Sequence, residues 1–196
     1  HIMNVSSDES VELIRLAKLR DISVTAEVCP YHLFLTDEKL RSFDSNFKVN
    51  PPLRDQQCVD ACIEGLLDGT LDVIASGHAP RAAEKKMQEL DQAPFGMIGL
   101  ETTLGVVATQ LIQPGYLDWS TALRKMTINP SRVLGLDKGT LQLGADADVT
   151  IIDPAAKWTV SNASLFSKSR NTPLIGAELC GRADTVIVGG RVKYPC

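Results

Sequence analysis

Apolar residues recur at helical spacing from Val11 to Leu19, where Val11, Leu13, Ile14, Leu16, Ala17 and Leu19 share one face of a predicted helix. Ser6 or Ser7 can cap it, and Asp8 and Glu9 sit in its first turn, where the helix dipole favours negative charge. The pattern then changes period. Ile22 to Val28 alternates and carries β-branched residues, so it reads as a strand that Pro30 ends. Residues 36–54 are polar with two adjacent prolines and read as a long loop. Asp55 to Leu67 is helical, Asp68-Gly69 stops it, and a strand follows at 72–75. Helix, strand, helix, strand in this order predicts parallel α/β units.

Beyond that strand, Ala82 to Leu90 predicts a short charged helix within a loop, with Glu84-Lys85-Lys86 as a solvated face. Glu101 to Ile112 is helical and ends at Pro114-Gly115; Glu101 is a first-turn charge. Trp119 to Met126 and Pro130 to Leu134 follow as helices. From about Gly139 the chain reads as strands: Val149 to Ile152, Trp158 to Val160, and Thr185 to Val188. Gly189-Gly190 then makes a tight turn into Arg191 to Tyr194. The expected domains are therefore 1–138 and a β appendage at 139–196.

The 44% hydrophobic and 22% charged composition is that of a soluble globular chain. A net charge of −4 argues against a nucleic-acid surface, and no apolar run is long enough to span a membrane. No signal peptide is visible at His1-Ile2-Met3-Asn4. Cys29, Cys58, Cys62, Cys180 and Cys196 are an odd set in apolar contexts, which predicts free thiols in a cytoplasmic protein. Cys58 and Cys62, four apart, would share a helix face and serve packing.

The candidate chemistry lies just past Val73-Ile74-Ala75, a buried run entering a loop, the place where barrel enzymes carry catalytic groups. The residue there is Gly77, followed by His78-Ala79-Pro80-Arg81. This stretch resembles the Thr/Ser-Asp-His-Ala-Pro-His motif of dihydroorotases, with Gly77 in place of Asp and Arg81 in place of the final His. Asn4 to Ser10 resembles their His-Val-Ser-Thr-x-x-Ser, and Glu27 to Leu33 their Glu-Val-Thr/Ala-Pro-His-His-Leu. Lys48-Val49-Asn50-Pro51-Pro52-Leu53-Arg54 is similar to their Lys-x-Asn-Pro-Pro-Leu-Arg. Pro94 to Glu101 is similar to their Pro-Phe-Gly-x-x-Gly-Leu-Glu, and the tail to the β extension of amidohydrolases.

The resemblance implies an α/β fold, the C-terminal part of a TIM (β/α)₈ barrel (strands six to eight) with a small β appendage. Since a whole barrel takes about 250 residues, the first half is absent from this sequence, disordered, carried by another chain, or replaced by rearrangement in an oligomer. The family interconverts carbamoyl aspartate and dihydroorotate with zinc, in pyrimidine biosynthesis. Zinc supplies the hydroxide and polarises the amide, and an Asp moves the proton. Asn4 stands where the family has a His ligand and Gly77 where it has that Asp. No catalytic or metal residue is intact, and no cofactor is expected for this chain.

Substrate-side positions persist better. The resemblance assigns Asn50, Pro94 and Gly96 to the pyrimidine ring and Arg81 to the substrate carboxylate, where a guanidinium still pairs with an anion. The bland readings are that His78 is a loop histidine satisfied by backbone and Arg54 a loop anchor through a salt bridge. Asn50-Pro51-Pro52 would then be a rigid turn, and Trp119 and Trp158 packing residues.

The reading is a dihydroorotase-family chain, inactive alone. Its rivals are a non-catalytic scaffold for aspartate carbamoyltransferase, a hydantoinase or dihydropyrimidinase relative, and a remnant without a role. Aspartate carbamoyltransferase or self-association are the expected partners.

Overall fold

The structure, a computed structural model, describes residues 1–194; the thiol expected at Cys196 lies outside them. Helix α1 spans Asp8–Leu19, with the Ser7 side chain accepting from the Ser10 amide at its start. Strand β1, Glu27–Val28, pairs in parallel with β2, Val73–Ile74, through Glu27↔Val73 and Val28↔Ile74. Single parallel bridges widen this minimal sheet: Ile2 with Ala26 on one side, His78 with Met97 on the other. The strand expected over 22–28 is therefore mostly not strand. Ile22 is exposed, Val24 packs partly against the core, and only the last residues enter the ladder.

Helix α2, Gln56–Leu67, begins where the Asp55 carboxylate accepts from the Cys58 amide, and Gly69 takes φ +85° just past its end. α1, α2 and the turn at Ala108–Ile112 cover the strands. Val11, Ile14, Cys62, Leu66 and Leu111 pack against Val5, Val28 and Ile74 in one buried cluster. Cys58 and Cys62 are both buried, as packing requires. The apolar face read on α1 is only half used, because Leu13 is 68% and Leu19 75% exposed. The polar loop at 36–54 contains two short 3-10 turns, Asp37–Ser42 and Ser45–Phe47.

Short α3, Ala83–Lys86, follows β2. α4, Thr103–Val107, continues into a π-helical turn at Ala108–Ile112, and α5 (Trp119–Met126) and α6 (Ile128–Val133) come next. Among the described residues no helix is long and apolar enough to cross a membrane. The two strands expected at 149–152 and 158–160 are one bulged strand, β3 (Val149–Thr159). It pairs antiparallel with β4 (Glu178–Val188), which turns through Gly189-Gly190 into β5 (Arg191–Tyr194). Ile98, Val106, Val160, Leu165 and Leu179 bury together and fasten this sheet to α4.

Three side chains depart from their expected roles. Glu101 precedes α4 and accepts from the amides of Phe166 and Ser167, both at 2.8 Å, so it anchors a loop instead of a helix dipole. Arg54 forms no ion pair among the described residues; its carbonyl accepts from the Asp37 amide at 2.9 Å. Lys86 is buried rather than solvated, because loop carbonyls converge on its ammonium.

The 3-10 turn Pro30–Leu33 buries His32, whose Nε2 lies 3.0 Å from the Pro51 carbonyl oxygen. A carbonyl only accepts, so the proton sits on Nε2, and Nδ1 is left buried without a partner. Burial, reinforced by the charge of Arg54, pushes the imidazole pKa down to about 4. The unfolded chain thus binds a proton below its ordinary value near 6.5 that the fold accepts only near 4. His32 contributes stability that is complete above about pH 6.5 and lost as pH falls toward about 4. Urea denaturation should show the wild type losing about 3 kcal/mol more than His32→Gln over that interval.

Candidate functional site

A cleft of about 610 Å³ opens at the carboxyl ends of the parallel segments. Asn4 comes from the first segment, Glu27 from β1, and Gly77, His78 and Arg81 from the loop after β2. Asn50 and the segment Pro94-Phe95-Gly96 close its sides. Every position singled out in the sequence, Asn4, Asn50, Gly77, Arg81, Pro94 and Gly96, therefore lines one cavity. The position beyond the carboxyl end of a parallel strand is where side chains from separate strands can converge.

The wall at Gly77 is filled from the neighbouring strand end. Gly77 has φ +58°, a left-handed conformation that costs any residue with a Cβ. A Cβ built there would lie 2.5 Å from Tyr31 Cε1 and 2.8 Å from both Tyr31 Oη and Cys29 Sγ. Tyr31 and Cys29 are buried in a cluster with Leu35, Val49, Leu53 and Met97, which holds the phenol ring against the glycine. The Cys29 thiol donates to Asn4 Oδ1 at 3.0 Å. Burial pushes its pKa up to about 11 and raises the Tyr31 phenol as well, so both remain neutral at ordinary pH.

These groups do not fit a metal ion. Zinc wants imidazole, thiolate or carboxylate donors, whereas the positions that face each other here hold a carboxamide bonded to a buried thiol, a phenol ring and a glycine. Among the described residues no three His, Cys, Asp or Glu side chains group so as to hold a metal. Glu27 is the carboxyl that lines the cleft, 3.2 Å from His1 Nε2; burial raises its pKa, while the Asn4 amide donates to it and partly offsets that effect.

His78 accepts from the amides of Gly99 and Leu100 through Nδ1, both at 3.3 Å, which satisfies it by backbone and leaves its proton on Nε2. Arg81 donates from Nε to the Phe95 carbonyl at 2.8 Å. Gly96 takes φ +120°, and a Cβ there would sit 2.6 Å from Ala79 Cβ, so the two cleft loops touch at this glycine. Its amide donates to the Lys48 carbonyl at 2.8 Å. The 94–96 segment thus spends the Gly96 amide, one bond at each of the Pro94 and Phe95 carbonyls and two at the Gly96 carbonyl within the protein. What it leaves toward the cleft are the second lone pairs of Pro94 and Phe95, beside the side chains of Asn50 and Arg81.

Two residues that shape this wall escaped the sequence reading. Lys86 donates to the carbonyls of Ser45, Pro94 and Gly96. Asn171, from the loop before β4, donates to the carbonyls of Ala79 (3.0 Å) and Gly96 (3.1 Å) and accepts from the Arg81 amide at 3.1 Å. Neither carries a spacing signal: α3 has too few residues to show a buried face, and Asn171 lies far along the chain. Tyr31 was detectable in principle, since a large residue replaces His in one motif while a glycine replaces Asp in another.

The Amidohydrolase family pattern matches residues 5–193. A dihydroorotase of Pelotomaculum thermopropionicum is 55% identical over 192 residues, covering 98% of this chain and 45% of that protein. A dihydroorotase of Endomicrobium trichonymphae is 48% identical over 195 residues, covering 99% of this chain and 46% of its own length. The chain thus spans about half the length of the curated relatives it matches. Among solved structures, the L-hydantoinase of Arthrobacter aurescens superposes with a TM-score of 0.88 at 29% identity, over 97% of this chain and 43% of that one. A dihydropyrimidinase of Brevibacillus agri gives 0.88 at 23% identity, over 97% and 43%, a likeness of fold.

The contact between residues 77 and 31 is testable by stability. Gly77 and Gly69 both have positive φ, but a Cβ at Gly69 meets nothing within 4 Å. Gly69→Ala should therefore cost about 1 kcal/mol, and Gly77→Ala about 3 kcal/mol, because overpacking adds to the backbone strain. In denaturant titrations the excess at 77 should shrink when Tyr31 is also cut to Ala.

Proposed function

This chain belongs to the amidohydrolase family, and from that premise we propose that it supplies barrel strands six to eight of a dihydroorotase-type protein, with residues 1–138 as barrel and 139–196 as β appendage. Its role on this reading is in pyrimidine biosynthesis, in the cytoplasm, as a ligand-binding cleft that does not interconvert carbamoyl aspartate and dihydroorotate by itself. The dihydroorotase identities of 55% and 48% support the family role, and the buried free thiols Cys29, Cys58, Cys62 and Cys180 fit a reducing compartment.

The observation that carries the inactive reading is the Tyr31 ring against Gly77. Closing or opening the ring needs a proton moved at the attacked amide, work worth about 10²–10⁴-fold in enzymes generally. Position 77 has no carboxylate for it, and no carboxylate fits without displacing Tyr31. What remains is recognition. Asn50 and His78 Nε2–H offer hydrogen bonds, and the outer nitrogens of Arg81 offer a carboxylate a charge-assisted pair. The purified chain, assayed with and without added zinc, should give no interconversion above the uncatalysed rate. A zinc-dependent turnover that tracks the protein would overturn the reading. Thermal shift with dihydroorotate, and its loss in Arg81→Met, reports the binding part; a shift with a hydantoin and none with dihydroorotate would move the chain to the hydantoinases.

A second reading, a scaffold for aspartate carbamoyltransferase or for a second copy of this chain, is favoured by one observation. Leu13 and Leu19 on α1 stand exposed, as do Ile2, Met3 and Ile22, and large apolar side chains left in water are what a partner surface would cover. Gel filtration with aspartate carbamoyltransferase should show co-migration that Leu13→Glu abolishes; separate elution at every concentration would remove that partner.

A further inference from the structure

Lys86 is 8% exposed, and all three of its ammonium protons are committed to backbone oxygen, of Ser45 at 2.6 Å, Pro94 at 3.0 Å and Gly96 at 3.2 Å. No carboxylate reaches it at ion-pair distance among the described residues. The charged groups that face it are Asp44, which favours the ammonium, and Lys48 and Arg81, which oppose it. A buried ammonium without a counter-ion is costly unless its hydrogen bonds do structural work.

The placement of those bonds shows what the work is. Lys86 grips the carbonyls on either side of Phe95, and the Phe95 carbonyl between them accepts Arg81 Nε–H at 2.8 Å. Among the described residues the guanidinium forms no other hydrogen bond, so its outer nitrogens are left for the cleft that Arg81 lines. We propose that Lys86 is a positioning residue: by holding the Pro94 and Gly96 carbonyls it aims the Phe95 carbonyl, and through it sets the direction in which Arg81 presents its guanidinium. Asn171 shares the Gly96 carbonyl at 3.1 Å and holds the Arg81 amide, so the backbone and the side chain of Arg81 are fixed from two sides.

The test compares Lys86→Met with Lys125→Met. Lys125 is also buried and donates to a carbonyl, that of Leu71 at 2.7 Å, but lies outside the cleft wall. Both variants lose a buried ammonium, so general loosening affects both. Hydrogen exchange of Arg81 Nε–H, followed by NMR, should quicken about ten-fold in Lys86→Met and stay within about two-fold of wild type in Lys125→Met. An unchanged rate in Lys86→Met, or equal rates in the two variants, overturns the proposal.

If Lys86→Met does not fold, the wild type decides. Burial draws the Lys86 pKa down to about 8, within reach of an alkaline titration. Burial favours the neutral amine, so folding stability is not lost on deprotonation; the change is one fewer N–H for three carbonyls. The Phe95 carbonyl carbon and Arg81 Cδ should then shift with the midpoint of Lys86 Cε. Their staying fixed while Lys86 loses its proton overturns the proposal. Neither readout uses a ligand, so the outcome is separate from that of the binding reading.

Discussion

Tyr31 and residue 77 compete for one volume, and the rest of the cleft follows from how that competition is resolved. The Tyr31 ring lies where a Cβ on residue 77 would have to be, at 2.5 Å, and the left-handed backbone at φ +58° already favours glycine. With the ring in place, Cys29 beside it is buried and protonated, and its thiol turns to the Asn4 carboxamide. Asn4, at the motif's His-ligand position, accepts from the Cys29 thiol, and Tyr31 fills the space beside Gly77, the motif's Asp position. Restoring either motif residue alone leaves a group without its partner in a packed, desolvated place, which is the expensive kind of change.

The opposite side of the cleft is governed by charge rather than volume. Lys48, Lys86 and Arg81 all direct hydrogen bonds to carbonyls of the 90–96 stretch: Lys48 to Leu90 and Asp91, Lys86 to Pro94 and Gly96, Arg81 to Phe95. Lys48 also stands 4.8 Å from the Phe95 ring centroid. A segment with little regular structure is held by cations that each find backbone oxygen, so the loop keeps its shape without a helix or strand to impose it. The two walls are thus fixed by different means, and substitution at Gly77 does not remove the bonds that hold Arg81.

Helices were legible in the sequence because their signals are local. Spacing marked α1, α2 and α5, and the cap read at Ser6 or Ser7 falls on Ser7, whose side chain accepts from the Ser10 amide. Asp55 and Asp118, not read as caps, do the same for α2 and α5. The hairpin at Gly189-Gly190 was legible for the same reason. Strand lengths were not. Whether Ile22 to Ala26 joins a ladder depends on which neighbour lies alongside, and the ladder here is two residues long with single bridges at its flanks. The motif residues were read to one neighbourhood and do line one cleft. The supports of that cleft, Lys86 and Asn171, stayed hidden because they act through backbone carbonyls, which no side-chain pattern marks. Glu101 misled for the same reason: its charge suits a helix start, yet its carboxylate holds the amides of Phe166 and Ser167 from a distant loop.

The β3–β5 sheet matters to the cleft through that same logic of distant support. Asn171 reaches from the loop before β4 into the contact between the 79–81 and 96–98 segments, and its carbonyl takes the Ile98 amide at 2.9 Å. Ile98 in turn is buried with Val160 just past β3, Leu179 of β4 and Val106 of α4. Apolar packing of the β sheet on α4 therefore sets where Asn171 stands, and Asn171 sets where the Arg81 backbone stands. Loss of packing at Leu179 would be felt at the cleft as a displaced cation, through two hydrogen bonds and no direct contact. A cleft built this way keeps its shape for as long as the β3–β5 sheet stays packed on α4.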